Sequence, residues 1–197
     1  MALEERVYSV LFVSSNERFN QETASLLPAA IFSPISFATN ISAAKRTRAQ
    51  NHFDFIIINS PLTDGFGTDF AIDSSEASHT IVLQLVKNEL YDEIFEKNSV
   101  YGVFTLAKPL PKQSMIHAMH WLVAAKSKVT QLEQKTISIE SKMQEIRLVN
   151  KAKWLLIEKE KMPEADAHRH IEKQAMDRCI SKRAVAEEII QKYAYTV

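Results

Sequence analysis

Five short apolar runs, each stopped by a polar or turn-forming cluster before it reaches helix length, limit the folds open to this chain. Tyr8 to Val13 (YSVLFV) halts at Ser14, Ser15 and Asn16, as a buried strand does on meeting a loop. Ile35 to Thr39 is a second run. Phe53 to Ile58 (FDFIII) is the plainest, ending at Asn59 before the turn-rich SPLTDGFG. Thr80 to Val86 and Gly102 to Leu106 complete the set, and helices are expected over Arg18 to Leu27, Ile41 to Gln50 and Asn88 to Lys97. Parallel strands need crossover connections, so strands alternating with helices imply a sheet covered on both faces. The expected fold class is α/β, a doubly wound parallel five-stranded sheet.

From Pro111 to Pro163 no helix breaker occurs. In a heptad frame Leu122, Val129, Thr136 and Met143 share one core position, and Ala125, Leu132, Ile139 and Ile146 share the other. A lone helix would leave this stripe wet. It either folds back on its own domain or pairs with a second copy. Pairing as a parallel coiled-coil dimer is preferred, because the segments upstream already supply a core. Thr136 weakens the seam. His117 and His120 share a face but have no evident third ligand, so they read as helix-surface residues rather than a metal site.

The stretch from Gln144 to Ile190 changes character. Pro163 fits the first turn of a second helix, Glu164 and Asp166 suit its positive end, and Ser181 can cap a third. Ala152, Leu155, Leu156, Ala167, Ile171, Ala175, Val185, Ala186 and Ile189 are its expected core. Among them stand Arg147, Lys151, Lys153, Arg169, Lys173, Arg178, Lys182 and Arg183. The chain's formal charge is zero, yet residues 1–110 hold eight Lys and Arg against thirteen Asp and Glu, and residues 142–183 hold eleven against seven. A folded, locally positive module of this kind suits a polyanion.

The remaining composition mostly excludes. At 46% hydrophobic and 24% charged the chain reads as a soluble globular protein. No apolar run approaches the roughly 18 to 20 residues that span a bilayer, and the opening MALEERVYSVLFV has no signal-peptide pattern, so a cytoplasmic location is expected. The lone Cys179 forms no internal disulfide. Three glycines and the lack of a phosphate-cradling motif point to no nucleotide cofactor, and no catalytic constellation stands out, so no enzyme activity is expected.

Over Tyr8 to Pro111 the sequence resembles the receiver domain of bacterial response regulators, a flavodoxin-like fold. Asn59-Ser60-Pro61-Leu62-Thr63-Asp64-Gly65 looks like that family's phosphorylation-site turn, and Lys108-Pro109 like its Lys-Pro pair. The resemblance implies an acidic pair and an acceptor aspartate where Ser14, Ser15 and Asn59 stand, and a hydroxyl residue where Gln84 stands. The site is thus degenerate: an amide is no phosphoryl acceptor, and two hydroxyls with an amide suit Mg²⁺ poorly. Lys108 is left with a structural hydrogen bond, and Asp64 with a turn in which it satisfies its own backbone.

A second resemblance lies in Ala152-Lys153 followed by Leu155-Leu156, Pro163-Glu164-Ala165-Asp166-Ala167, Gln174-Ala175-Met176-Asp177-Arg178, Ser181 and Val185-Ala186. These are similar to the ANTAR domain of the AmiR and NasR transcription antitermination regulators. The resemblance implies a protein that binds hairpins in nascent leader RNA, usually as a dimer, and prevents a terminator from forming. Lys153 matches the family's near-invariant lysine and is the first expected RNA contact. Lys151, Arg147, Arg169, Lys173, Arg178, Lys182 and Arg183 follow from charge and position. Trp154 departs from the family's usual glycine, its ring either packing within the module, the preferred reading, or stacking on a base. Cys179 also departs, standing where a polar or basic residue is common. His168 and His170 face different ways on their helix.

The expected domains are a pseudo-receiver over 1–111, a coiled-coil connector over 112–143 and an RNA-binding module over 144–197. Without a phosphoacceptor, control would fall to a partner protein or ligand on the pseudo-receiver, to oligomer rearrangement or to abundance. The rival readings are a DNA-binding response regulator and a protein-interaction scaffold.

Overall fold

A computed structural model describes residues 6–76 and 79–194. The first five residues, part of the opening read above, and the last three of the C-terminal segment lie outside it. By contacts the chain divides into two units, residues 1–128 and 129–197.

In the first unit β1 (Tyr8–Val13), β2 (Phe32–Ala38), β3 (Phe55–Asn59), β4 (Ile81–Lys87) and β5 (Phe104–Lys108) form one sheet in the order β2-β1-β3-β4-β5. Every pairing is parallel. The helices between them are α1 (Glu17–Ser25), α2 (Ile41–Gln50), α3 (Thr68–Glu76) and α4 (Tyr91–Val100), the last entered through a 3-10 turn at Asn88–Leu90. The inner strands β1, β3 and β4 are buried along nearly their whole length because both faces are covered, while the edge strands β2 and β5 are partly exposed. Tyr8, Val10, Phe12, Phe55, Ile57, Leu83 and Leu85 build one core, while Leu11, Val13, Ile56, Ile58 and Val82 meet Ala44, Phe70 and Ala71 in the other. The α3 helix is absent from the sequence reading, which carried the turn after β3 directly into β4.

The long helix α5 runs unbroken from Lys112 to Glu160. Its opening turns complete the sheet's first core with Met115, Ala118, Met119 and Leu122, so the receiver unit extends past residue 111. This corrects the start of the expected seam, since Leu122 is 1% exposed within that core and Ala125 is half-buried against it. Lys126 fixes the helix at the amino-terminal end of β3: its Nζ donates to the His79 carbonyl at 2.5 Å and lies 3.3 Å from Asp54 Oδ1. Asp54 in turn accepts from the Ser9 backbone at 3.0 Å.

The second unit contains the rest of α5, α6 (Glu164–Asp177) and α7 (Lys182–Ala194). Ala152, Leu156, Ala167, Ile171, Ala175, Val185, Ala186 and Ile189 are its buried core, with Leu155 packed against them. Small residues let the end of α5 and the two short helices α6 and α7 approach closely. Pro163 stands at the N-cap of α6, one place before its first turn, with Glu164 and Asp166 following. Ser181 Oγ accepts from the Ala184 backbone at 3.1 Å, capping α7. Cys179, with φ 50°, makes the left-handed turn that ends α6. Between the units' cores, Val129, Leu132, Ile139, Met143 and Ile146 are 38–59% exposed.

Candidate nucleic-acid interface

At the carboxyl ends of β1, β3 and β5, where doubly wound sheets carry their sites, the side chains are wired to one another. Asn59 Nδ2 donates to Ser14 Oγ at 3.0 Å, and Asn59 Oδ1 accepts from Lys108 Nζ at 2.6 Å. Lys108 also donates to the Ser60 carbonyl at 2.5 Å. Burial, and then the charge of Lys87, hold the Lys108 ammonium below its ordinary pKa. Ser14 is buried and also accepts from the Asn16 backbone, while Ser15 beside it is exposed. Two hydroxyls and an amide already facing an ammonium do not fit a hard divalent cation, which takes carboxylate oxygens. Among the described residues, no three His, Cys, Asp or Glu side chains group as a metal site.

Two neighbours behave differently from their sequence readings. Gln84 is buried in the middle of β4, opposite Ile58, rather than at the strand's end. Its Nε2 donates to Ser60 Oγ at 2.8 Å and Thr68 Oγ1 at 3.2 Å, and its Oε1 accepts from Asn98 at 2.9 Å. It braces α3 and α4 against the sheet instead of joining Asn59 and Lys108. Asp64 serves α2 rather than its own turn alone, accepting from the backbone of Ile41 at 2.8 Å and Ser42 at 2.9 Å. Those amides hold its carboxyl below the usual range, the Ile41 bond first.

The C-terminal module sorts its cations into two groups. Arg178 grips Glu188 with both arms at 2.5 and 2.7 Å, Lys182 meets Glu172 at 2.5 Å, and Arg183 meets Glu187 at 2.8 Å. Each of these pairs includes an α7 residue, and the first two join α7 to α6 and its end. Arg147, Lys151, Arg169 and Lys173 are exposed and carry no ion pair among the described residues. Lys153 is only 18% exposed at its side chain, 3.2 Å from Glu164. It lines a cavity of about 430 Å³ with Lys142, Ile146, Val149, His168 and Lys182. Lys142, Ile146, Val149 and Lys153 are spaced as one face of a single helix. The boundary expected at 143 separated Lys142 from the others, although the spacing itself was legible.

Trp154 corrects a preference: its ring is 70% exposed and does not pack within the module. His168 lies 3.4 Å from Glu172, and His170 bonds to Gln174 at 2.9 Å.

The first unit is a five-stranded receiver-type sheet, and a compact helical module follows it. The fold is similar to the signal receiver domain of an HD domain-containing protein from Pseudomonas fluorescens (TM-score 0.58, 19% identity, covering 66% of this chain and 97% of that one). It is similar also to the chemotaxis response regulator CheY4 of Vibrio cholerae (TM-score 0.52, 20% identity, 59% and 99%). Residues 138–190 match the ANTAR domain, so an ANTAR-matching segment follows a receiver-type fold in this chain. It is 27% identical over 134 residues to the transcriptional regulatory protein PdtaR of Mycobacterium tuberculosis, a stretch covering 68% of this chain and 64% of that relative. No helix among the described residues is long and apolar enough to cross a membrane.

Proposed function

We propose that the chain is a cytoplasmic, non-catalytic RNA-binding regulator of transcription antitermination that holds hairpins of a nascent leader transcript and keeps a terminator from forming. The observation that carries this reading is the surface of the ANTAR-matching module, where Arg147, Lys151, Arg169 and Lys173 are exposed and have no carboxylate partner among the described residues. Lys142, Lys153 and Lys182 meanwhile line a cavity of about 430 Å³. Cations left exposed are available to phosphates, and an open hollow lined by Ile146 and Val149 among lysines, with Glu145 at its side, has room for an unpaired base. Arg178 and Arg183, committed to α7 carboxylates, serve mainly to shape the module. Lys182 does both.

The exposed stripe from Val129 to Met143 pairs two copies as a parallel coiled coil, leaving Ile146 to the cavity and placing two such modules together for two hairpins. The receiver-like domain does not accept phosphate, because Asn59 replaces the acceptor and Lys108 already holds it. A partner protein or ligand on that domain sets the output instead.

The test is binding of the purified chain to a two-hairpin RNA with randomised loops, beside duplex DNA, at two salt concentrations. Loop-dependent, salt-sensitive RNA binding that falls at least about tenfold in Lys153→Ala, a charged contact's worth, supports the reading. Preference for duplex DNA would replace it with a DNA-binding regulator, and binding to neither would favour the protein scaffold.

A further inference from the structure

Trp154 is 70% exposed although it stands in the body of a packed module. Ala152 and Leu156, two residues to either side, are fully buried. At about 100° per residue the ring therefore leaves α5 on the side away from the core. Lys151 and Arg147 precede it by one and two turns on that same side, both exposed and without an ion pair among the described residues. The dimer seam does not claim the ring. Continuing the heptad spacing past Ile146 reaches Asn150 and Lys153, both polar, so the apolar stripe ends before Trp154.

We propose that Trp154 is a stacking platform for one unpaired RNA base, with Lys151 and Arg147 holding the phosphates of the same strand. The inference rests on the RNA-binding reading above and adds to it a contact outside the Lys153 cavity. An aromatic face accepts any base, because every base has a π-face, and flanking cations turn a general hydrophobic contact into one selective for a polyanion.

The experiment uses the full chain and the RNA it selects from a pool of two-hairpin RNAs with randomised loops. Trp154→Ala weakens binding about tenfold while Trp154→Phe stays within about threefold, stacking needing a ring rather than an indole. The slope of affinity against salt is unchanged in Trp154→Ala, since no phosphate contact is lost, and falls by about one in Arg147→Ala. In a Trp121→Phe background, where Trp154 is the sole tryptophan, the RNA quenches its fluorescence. Undiminished binding by Trp154→Ala overturns the platform and leaves the RNA-binding reading intact. So does a loss that sedimentation traces to a dimer falling to monomer, because the indole then serves a second copy. Selection of no RNA by the wild-type chain removes both.

Discussion

Lys108 and Gln84 show how single side chains reuse a site whose chemistry has changed. Lys108 holds Asn59 and the Ser60 carbonyl, while Gln84 satisfies Ser60, Thr68 and Asn98 inside the sheet. Gln84→Leu leaves the buried Ser60 and Asn98 groups short of partners and costs about 2 kcal/mol, read from the urea midpoint. In the C-terminal module three carboxylates titrate below their usual range. Glu160 is held down by the Tyr193 hydroxyl and Lys192, Glu172 by Lys182, and Glu188 by Arg178. A depressed acid stabilises the fold above its ordinary value, and that help disappears as pH falls through the depressed one. The module's melting temperature should hold from neutral pH down to the ordinary carboxylate range and then fall. Glu188→Gln should flatten that fall in circular dichroism melts. The glutamate partners were not legible in the sequence. Arg178 and Glu188 are ten residues apart on different elements, and only the folded turn at Cys179 brings them together.

Elements were read more reliably than their edges. The inner strands announced themselves because they are buried on both faces, and β1 runs from Tyr8 to Val13 as its apolar letters do. The α3 helix went unread because it follows a glycine-rich turn and buries only Phe70, Ala71 and Ser74, too short a stripe to show a period. Pro111 looked like a boundary, yet a proline just before a helix opens it as readily as it closes a domain. Met115, Ala118, Met119 and Leu122 carry the helical spacing of a core face, which the seam reading claimed for Leu122. The attachment of this segment is testable through Lys126, whose side chain is 6% exposed against 21% for Asp54. Lys126→Met leaves Asp54 with Arg6 and Ser9 but without its closest cation and should lower the stability of the receiver unit by about 1 to 2 kcal/mol, with the C-terminal module's acid profile unchanged.

At the scale of the molecule, one uninterrupted helix belongs to two units of opposite charge. The acidic sheet takes its first turns and the basic three-helix module takes its last. The exposed seam between them should make the chain dimeric. Leu132→Asp with Ile139→Asp should reduce the sedimenting mass to one chain, because each charge would have to be buried unpaired in a coiled-coil core. The module's core was fully legible, since alanines at helical spacing have little use except close packing. Its outward chemistry was half legible: the cations could be counted, but which of them keep their charge for a ligand depends on the glutamates that fold against them.

The central claim, that this outward charge meets RNA, is tested most directly by photo-cross-linking the full chain to a two-hairpin RNA carrying 4-thiouridine in its loops and mapping the attached peptides. Attachment within residues 142–183 is the predicted result. Attachment confined to the receiver unit, or none under conditions where the RNA binds, would contradict it.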